Sequence, residues 1–234
     1  MYVYKHIIIR RMKNLIIRML IRGSLIIVGV LGILFTFLSS SFMGGASVFL
    51  FFTVQSNITI ILITLVFLIN DFLLLFNKKP YVSQFLLILK YIFTIAITIT
   101  FLVFFTMLAP LLGVDYLLSF NNFSLHAIVP ILAIVDFFIF NTDIELSIPK
   151  SLLGTAMPIY YVIFVYIGVP LGFEYMEGLK FPYFFLNYEK NGWFNISKDG
   201  IGVFYWIIIL MIGIIGLCLL FYLFMRIRKK HIKE

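Results

Sequence analysis

Long apolar stretches separated by short polar segments run along the whole chain and determine its predicted architecture. Six of these stretches are long enough to cross about 30 Å of hydrocarbon, which takes roughly 20 helical residues. They lie near residues 24–43, 47–76, 84–112, 122–140, 151–173 and 201–225. The second is longer than an upright crossing needs, so it should tilt or project from the bilayer. The pattern predicts an all-α polytopic membrane protein in which residues 1–234 form a single six-helix transmembrane domain.

Composition excludes a soluble domain. The chain is 63% hydrophobic and 12% charged, and its mean hydropathy is +1.12. A soluble protein needs more charge than this to cover its surface. The net charge of +8 is compatible with nucleic-acid binding in principle, but the basic residues cluster just outside the apolar stretches, which is typical of membrane proteins. Membrane lipids are therefore the expected partners, with no nucleic acid, and the oligomeric state stays open.

The distribution of basic residues predicts how the chain is oriented. With the N-terminus inside, 14 of the 18 Lys and Arg residues fall on the inner side. Only Lys180, Lys190 and Lys198 fall outside, and Lys90 lies within a span. The positive-inside rule then places both termini in the cytoplasm of a multi-pass protein of the cell membrane.

Residues 7–22 precede the first stretch and put Arg11, Arg18 and Arg22 on one helical face. We expect a basic interfacial helix whose arginines contact anionic lipid headgroups. A signal peptide is the alternative, but the apolar run continues too long and has no clean cleavage site.

Ionisable residues within membrane spans are costly and are functional candidates by default. Asp71, Lys90 and Asp136 are predicted to lie at a similar depth near the inner side, because Lys90 is early in the third span and Asp136 late in the fourth. We expect a Lys90–Asp136 ion pair with Asp71 close by. A structural pair that sets helix register is the plainer interpretation, and proton transport is the alternative.

A second polar level is predicted near the outer side. The segment FFTVQSN places Thr53, Ser56 and Asn57 on one face of the second span, whereas Gln55 points elsewhere. His126 lies about one turn into the fourth span from the same side, so its depth matches that of Thr53. Residues His6 and His231 are on the cytoplasmic side, which leaves His126 as the histidine available for membrane chemistry.

A hydroxyl beside a neutral imidazole is the minimum requirement for nucleophilic acyl transfer, because a base must take the hydroxyl proton during attack. Thr53 and His126 are the catalytic candidates, and Asn57, Gln55 or Ser56 are candidates for oxyanion or substrate binding. The structural alternative is that these side chains hydrogen-bond to helix carbonyls or to neighbouring helices. No metal or cofactor is needed, and the single Cys218 excludes a cysteine-based metal site.

The motifs FFTVQSN and HAIVPILAIVD (126–136) resemble those of the androgen-induced and androgen-dependent membrane hydrolase family and its bacterial relatives. In that family a threonine of the second span and a histidine of the fourth are the catalytic pair. The resemblance assigns these roles to Thr53 and His126, and Pro130 and Asp136 fit the pattern after the histidine. The animal members hydrolyse fatty acid esters of hydroxy fatty acids, which implies an amphiphilic acyl-ester substrate.

A third motif precedes the last span. Residues 180–194 (KFPYFFLNYEKNGWF) resemble an aromatic stretch of the family but carry Phe181 before Pro182, and Asn187 where aspartate is expected. Its aromatic residues are predicted either to form an interfacial belt or to roof the Thr53–His126 level: Tyr183, Tyr188, Trp193 and Phe194.

Two functional hypotheses follow. The first is a threonine-type lipid-ester hydrolase whose Thr/His pair lies near the outer leaflet. The second is a non-enzymatic protein, a small transporter or an assembly partner, in which Lys90, Asp136 and Asp71 serve as structural or coupling charges. The distance from the Thr53 hydroxyl to the nearest His126 ring nitrogen distinguishes the two, since a separation beyond one bridging water rules out the pair.

Overall fold

The computed structural model of the protein describes residues 2–39, 45–76, 78–141, 143–198 and 200–233, and within them the side chains of residues 12–230. The prediction of an all-α polytopic membrane protein is confirmed, because six of the described helices are long and apolar enough to span a membrane. These spans are Met12–Leu38, Phe52–Leu75, Gln84–Leu111, Phe120–Phe140, Ile148–Gly168 and Val203–Lys230.

The largest differences from the predicted span ends are in the first and fifth spans. The first helix, Tyr2–Leu38, runs unbroken through residues 7–22, and its candidate membrane span begins at Met12, directly after Arg10 and Arg11, and not at residue 24. The last predicted residues of this span, 40–43, and Gly44 of the following link lie outside the described residues. The fifth span ends at Gly168 and not at residue 173, because the chain turns at Gly172, whose φ of 78° suits glycine.

Three of the spans contain irregular turns. The third consists of an α-helix Gln84–Val103, a π-helical turn Phe104–Leu108 and a 3-10 turn Ala109–Leu111. The fourth consists of Phe120–Phe123, a π-helical turn Ser124–Ile128 and the α-helix Val129–Phe140. The fifth passes from Ile148–Ser151 through a 3-10 turn Leu152–Thr155 to Ala156–Gly168.

The connections carry the remaining elements. A 3-10 turn Ala46–Leu50 leads into the second span, and a short helix Val114–Leu118 leads into the fourth. The connection before the last helix, Val203–Lys233, contains a 3-10 turn Phe184–Leu186, a helical turn Tyr188–Asn191 and a two-stranded antiparallel hairpin, Ile196–Ser197 with Gly200–Ile201.

The first four spans form a closed ring in which each packs against two neighbours, in the order one, two, three, four and back to one. The fifth and sixth spans pack outside this ring against the third. Glycines allow the close approach of the first span to the ring. A Cβ on Gly29 would contact Ile61, and one on Gly32 would overlap Ser124 and Leu125. The end of the fourth span that carries His126 is thereby held against the first and second.

Candidate active site

Thr53 is the second residue of the second span, which begins at Phe52. The residue before the helix, Phe51, makes no capping hydrogen bond with its side chain. The first amides of an α-helix find no acceptor within their own helix, so the amides of Thr53 and Val54 point outward at this end. The Thr53 side chain is half-buried, with its neighbour Val54 fully buried behind it.

His126 lies in the middle of the π-helical turn of the fourth span, and its side chain is 8% exposed. The turn closes with a hydrogen bond from the Val129 amide to the Ser124 carbonyl, and Pro130 follows directly. Proline has no amide hydrogen for the carbonyl four residues earlier, which is that of His126, and its ring crowds that carbonyl. The wider turn relieves this conflict and sets the direction of the His126 ring.

The third span repeats the arrangement. Its π-helical turn closes from Ala109 to Phe104, and Pro110 follows directly. The Phe104 ring stacks on the His126 ring with 3.7 Å between centroids and 17° between planes. The proline spacing is the sequence signal for both turns, and the sequence interpretation did not use it. π-Helical turns occur often at functional sites.

Thr53 and His126 meet directly. The Thr53 Oγ1 lies 3.1 Å from the His126 Nε2, and the His126 Nδ1 lies 3.0 Å from the carbonyl oxygen of Asn122. Because a carbonyl only accepts hydrogen bonds, the proton of the neutral ring belongs on Nδ1. The Nε2 lone pair then faces Thr53, whose hydroxyl donates to it. The Asn122 carbonyl takes the orienting position that a carboxylate holds in a serine-type triad.

The polar neighbours of Thr53 fix its backbone. The Ser56 hydroxyl and the Asn57 amide nitrogen both lie within 3.0 Å of the Thr53 carbonyl. The Asn57 nitrogen also donates to the Leu125 carbonyl at 3.1 Å, so both amide hydrogens are used and the two spans are joined. Gln55 donates to the carbonyl of Phe49 in the preceding turn. The side chains of Asn57, Ser56 and Gln55 thus donate to backbone carbonyls and not toward the Thr53 hydroxyl. The structure therefore gives no support to the oxyanion role predicted for them.

The connection before the last span divides into a buried and an exposed part. Tyr183 packs over the start of the second span, with its ring 6.5 Å from that of Phe51 and part of it facing a cavity. Burial raises the pKa of Tyr183 to about 12. Trp193 and Phe194 are exposed, in keeping with an interfacial belt. Of the residues predicted to form a roof or a belt, Tyr183 is therefore packed against the second span, and Trp193 and Phe194 are exposed.

Asn187, which stands where the family motif has aspartate, caps a helical turn. Its side-chain oxygen accepts a hydrogen bond of 3.0 Å from the amide of Lys190 and caps the helical turn Tyr188–Asn191. Asparagine and aspartate are nearly equivalent as N-caps. This departure from the expected motif therefore leaves the local backbone intact.

Two cavities meet at Thr53. One, which we call the histidine cavity, has a volume of about 220 Å³ and is lined by His126, Asn122, Tyr116 and Thr36 among others. The other, the apolar cavity, has a volume of about 100 Å³ and extends between the third, fifth and sixth spans. Thr53, Phe104, Leu108 and Tyr183 line both cavities.

The inner polar level is an alternating chain of five charges. Its contacts run from Arg18 to Asp71 at 2.6 Å, from Asp71 to Arg22 at 2.7 Å, from Arg22 to Asp136 at 2.7 Å, and from Asp136 to Lys90 at 2.9 Å. Lys90 also donates to the Thr64 hydroxyl at 2.5 Å. None of these five charged residues lines either cavity that reaches Thr53.

Arg22 corrects the prediction for the basic face. It was expected to contact lipid headgroups, but its side chain is 2% exposed and lies between two carboxylates. The physical reason is that its position on the helix faces the ring of spans, where Asp71 and Asp136 need a cation. Arg18 reaches Asp71 from the edge, and the Arg11 side chain lies outside the described ones.

Among the described residues, no three His, Cys, Asp or Glu side chains cluster as a metal site would require. No family model matches the chain, and comparison with curated proteins and with solved structures finds no significant match.

Proposed function

We propose that this integral membrane protein is a lipid-ester hydrolase in which Thr53 is the nucleophile and His126 the general base. The observation that carries the proposal is the 3.1 Å contact between the Thr53 Oγ1 and the His126 Nε2, with Nδ1 held by the Asn122 carbonyl. Nucleophile, base and orienting group are thus arranged as nucleophilic acyl transfer requires. The resemblance to the androgen-induced and androgen-dependent membrane hydrolases is part of this proposal.

The reaction proceeds in two balanced steps. In the first, the Thr53 oxygen attacks the ester carbonyl carbon while its proton moves to the His126 Nε2. The bond from that carbon to the alcohol oxygen breaks, and His126 returns the proton to the departing alcohol. In the second, water attacks the acyl-threonine, His126 takes and returns a proton, and the free acid leaves Thr53 restored.

The developing oxyanion requires donors that do not come from Asn57. The amides of Thr53 and Val54 at the uncapped start of the second span are suitable, because they carry the positive end of the helix dipole. The Tyr183 hydroxyl is the third donor. Its pKa of about 12 keeps it protonated at neutral pH, so that it donates rather than repels.

Orientation completes the proposal. With both termini in the cytoplasm, as the positive-inside rule predicts, the Thr53–His126 pair lies near the outer leaflet. An amphiphilic ester then reaches the pair from the membrane, and Tyr183 covers it from the outer side. The inner charge chain holds the helices and takes no part in the chemistry.

Covalent labelling with a lipophilic fluorophosphonate tests the proposal. The wild type is compared with Thr53→Ala, His126→Gln and the matched control Thr59→Ala, whose hydroxyl lies on the same helix and donates to the Ser56 carbonyl. We expect labelling of the wild type and of Thr59→Ala, and a loss of at least about 100-fold in the two site variants. Thr53→Ser should be labelled, because it keeps the hydroxyl. No labelling of the wild type, or equal labelling of all variants, would refute the proposal.

A further inference from the structure

The two cavities that meet at Thr53 differ in chemistry, and this difference bears on how an ester is held. Every polar side chain of the apolar cavity lies at the Thr53 end. Tyr161 donates there to the Leu50 carbonyl at 3.0 Å, and Thr100 donates to its own helix at Ala96. The rest of the lining is hydrocarbon, including Val162, Leu210 and Met211. Nothing in its far part can bind a polar group.

The histidine cavity has polar groups along its wall. Asn122 donates its side-chain amide to the carbonyl of Tyr116 at 2.8 Å, and burial raises the pKa of the Tyr116 hydroxyl. His126 lies on this side, and it does not line the apolar cavity. A molecule in the histidine cavity therefore lies beside the group that receives the Thr53 proton and can pass it on, whereas one in the apolar cavity does not.

The direction of proton transfer assigns the two halves of the ester. His126 must protonate the departing alcohol oxygen, so that oxygen has to lie within reach of the Nε2. The carbonyl oxygen has to face the amides of the second span. The acyl chain is left with the one remaining direction from the carbonyl carbon, which leads into the apolar cavity.

We propose that the apolar cavity binds the hydrocarbon chain of the acyl half, and that the histidine cavity binds the alcohol half. This assignment depends on the proposed hydrolase chemistry for its direction. The apolar cavity, with its volume of about 100 Å³, holds the part of the chain next to the carbonyl. The remaining chain extends between the third, fifth and sixth spans toward lipid. The polar wall opposite selects an alcohol that carries a polar group of its own.

Two variants test the assignment through selectivity. Val162→Phe places a larger side chain in the apolar cavity, and Leu112→Phe places one in the histidine cavity. Hydrolysis of p-nitrophenyl acetate and p-nitrophenyl octanoate is compared. Val162→Phe should lower the octanoate-to-acetate rate ratio at least about 10-fold, the size expected when several methylenes lose their site. Leu112→Phe should lower both rates alike. The opposite pattern, or an unchanged ratio in both variants, overturns the assignment.

A binding experiment separates this inference from the proposed activity. Thr53→Ala protein in nanodiscs is photolysed with a palmitic acid that carries a diazirine at its sixth carbon, and the modified residues are mapped by mass spectrometry. We expect adducts on 207–214 of the last span that disappear with Val162→Phe. Such adducts support the chain site even if the wild type hydrolyses no ester, an outcome that refutes only the hydrolase. Adducts confined to 111–116 and 176–183, or no adducts, overturn the chain site.

Discussion

Replacing Arg22 is the sharpest test of how the helix ring is held together. The Arg22 side chain is the central link of the inner charge chain, with Asp71 and Asp136 each 2.7 Å away and the Phe67 carbonyl at 3.3 Å. Its guanidinium also lies 5.2 Å from the centre of the Phe67 ring. The substitution Arg22→Met keeps the hydrocarbon part of the side chain and removes the charge, so that three acceptors lose a donor at once.

The magnitude follows from burial and from the contacts that remain. Removing one partner of a buried ion pair costs about 3–5 kcal/mol, because a buried charge stays behind uncompensated. Asp71 keeps Arg18 and Asp136 keeps Lys90, so we expect a loss near 3 kcal/mol, the lower end of that range. Arg18→Met removes a single contact from a side chain that is 23% exposed, and it should cost about 1 kcal/mol.

Reversible unfolding in mixed detergent micelles, with dodecyl sulfate as the denaturant and tryptophan fluorescence as the signal, measures these free energies. A double-mutant cycle of Arg22→Met with Asp136→Asn should give a coupling of about 1–3 kcal/mol, since the two side chains touch. The reasoning is wrong if Arg22→Met destabilises the protein no more than Arg18→Met does. A coupling near zero would equally contradict it, because it would mean that the buried contact contributes nothing.

Three further predictions concern the outer site. Pro130→Ala supplies an amide hydrogen for the His126 carbonyl, so the π-helical turn should tighten and move the His126 ring. Fluorophosphonate labelling should then fall at least about 10-fold, because His126 is misplaced. Circular dichroism and labelling of the same sample, with Thr59→Ala as the control, measure the two effects. Gly32→Val should destabilise the protein by about 1–3 kcal/mol and lower labelling, because its Cβ would overlap Ser124, whereas Gly213→Val, with open space around it, should change neither. The pKa of Tyr183 is about 12 in the folded protein, above the ordinary tyrosine value of 10.0. Its protonated hydroxyl therefore contributes to the free energy of unfolding in full below about pH 10, and this contribution is lost as the pH rises to about 12. The free energy of unfolding, measured against pH, should fall less over this range in Tyr183→Phe than in the wild type.

Much of the inner level was predictable because depth along a helix is nearly fixed at 1.5 Å per residue. Lys90 and Asp136 were placed at one depth from residue counts alone, and their charges then required a neighbour of opposite sign. The sequence predicts an interfacial position for Arg22 because the apolar stretch of the first span begins at residue 24, just after it. A basic residue at the edge of a span is expected at the membrane interface. That expectation changes when buried carboxylates on other helices outnumber the other cations that can pair with them.

The outer level was predictable in its residues and not in its detail. Residue counts predict that Thr53 and His126 lie at the same depth, but whether the Thr53 hydroxyl faces the His126 ring depends on the rotation of the fourth span. That rotation is set by the wide turn before Pro130, a local departure from 3.6 residues per turn that shifts every side chain before it. The part played by Tyr183 depends on the path of a long connection, for which sequence periodicity carries no information.

The two polar levels place different demands on the same four helices. The inner chain of alternating charges joins the first, second, third and fourth spans at one depth, and each link loses much of its value if a helix rotates. The outer level needs the opposite: two π-helical turns that stack Phe104 on His126 and an uncapped helix start at Thr53. Wide turns and free amides weaken a helix locally. A ring fixed firmly at the level of the charge chain can carry such weak points at the other level without losing its register. This explains why the Thr53–His126 pair and a rigid ion chain occur on the same set of spans. Counting from Thr53 to Asp71, the two levels are about 27 Å apart along the second helix.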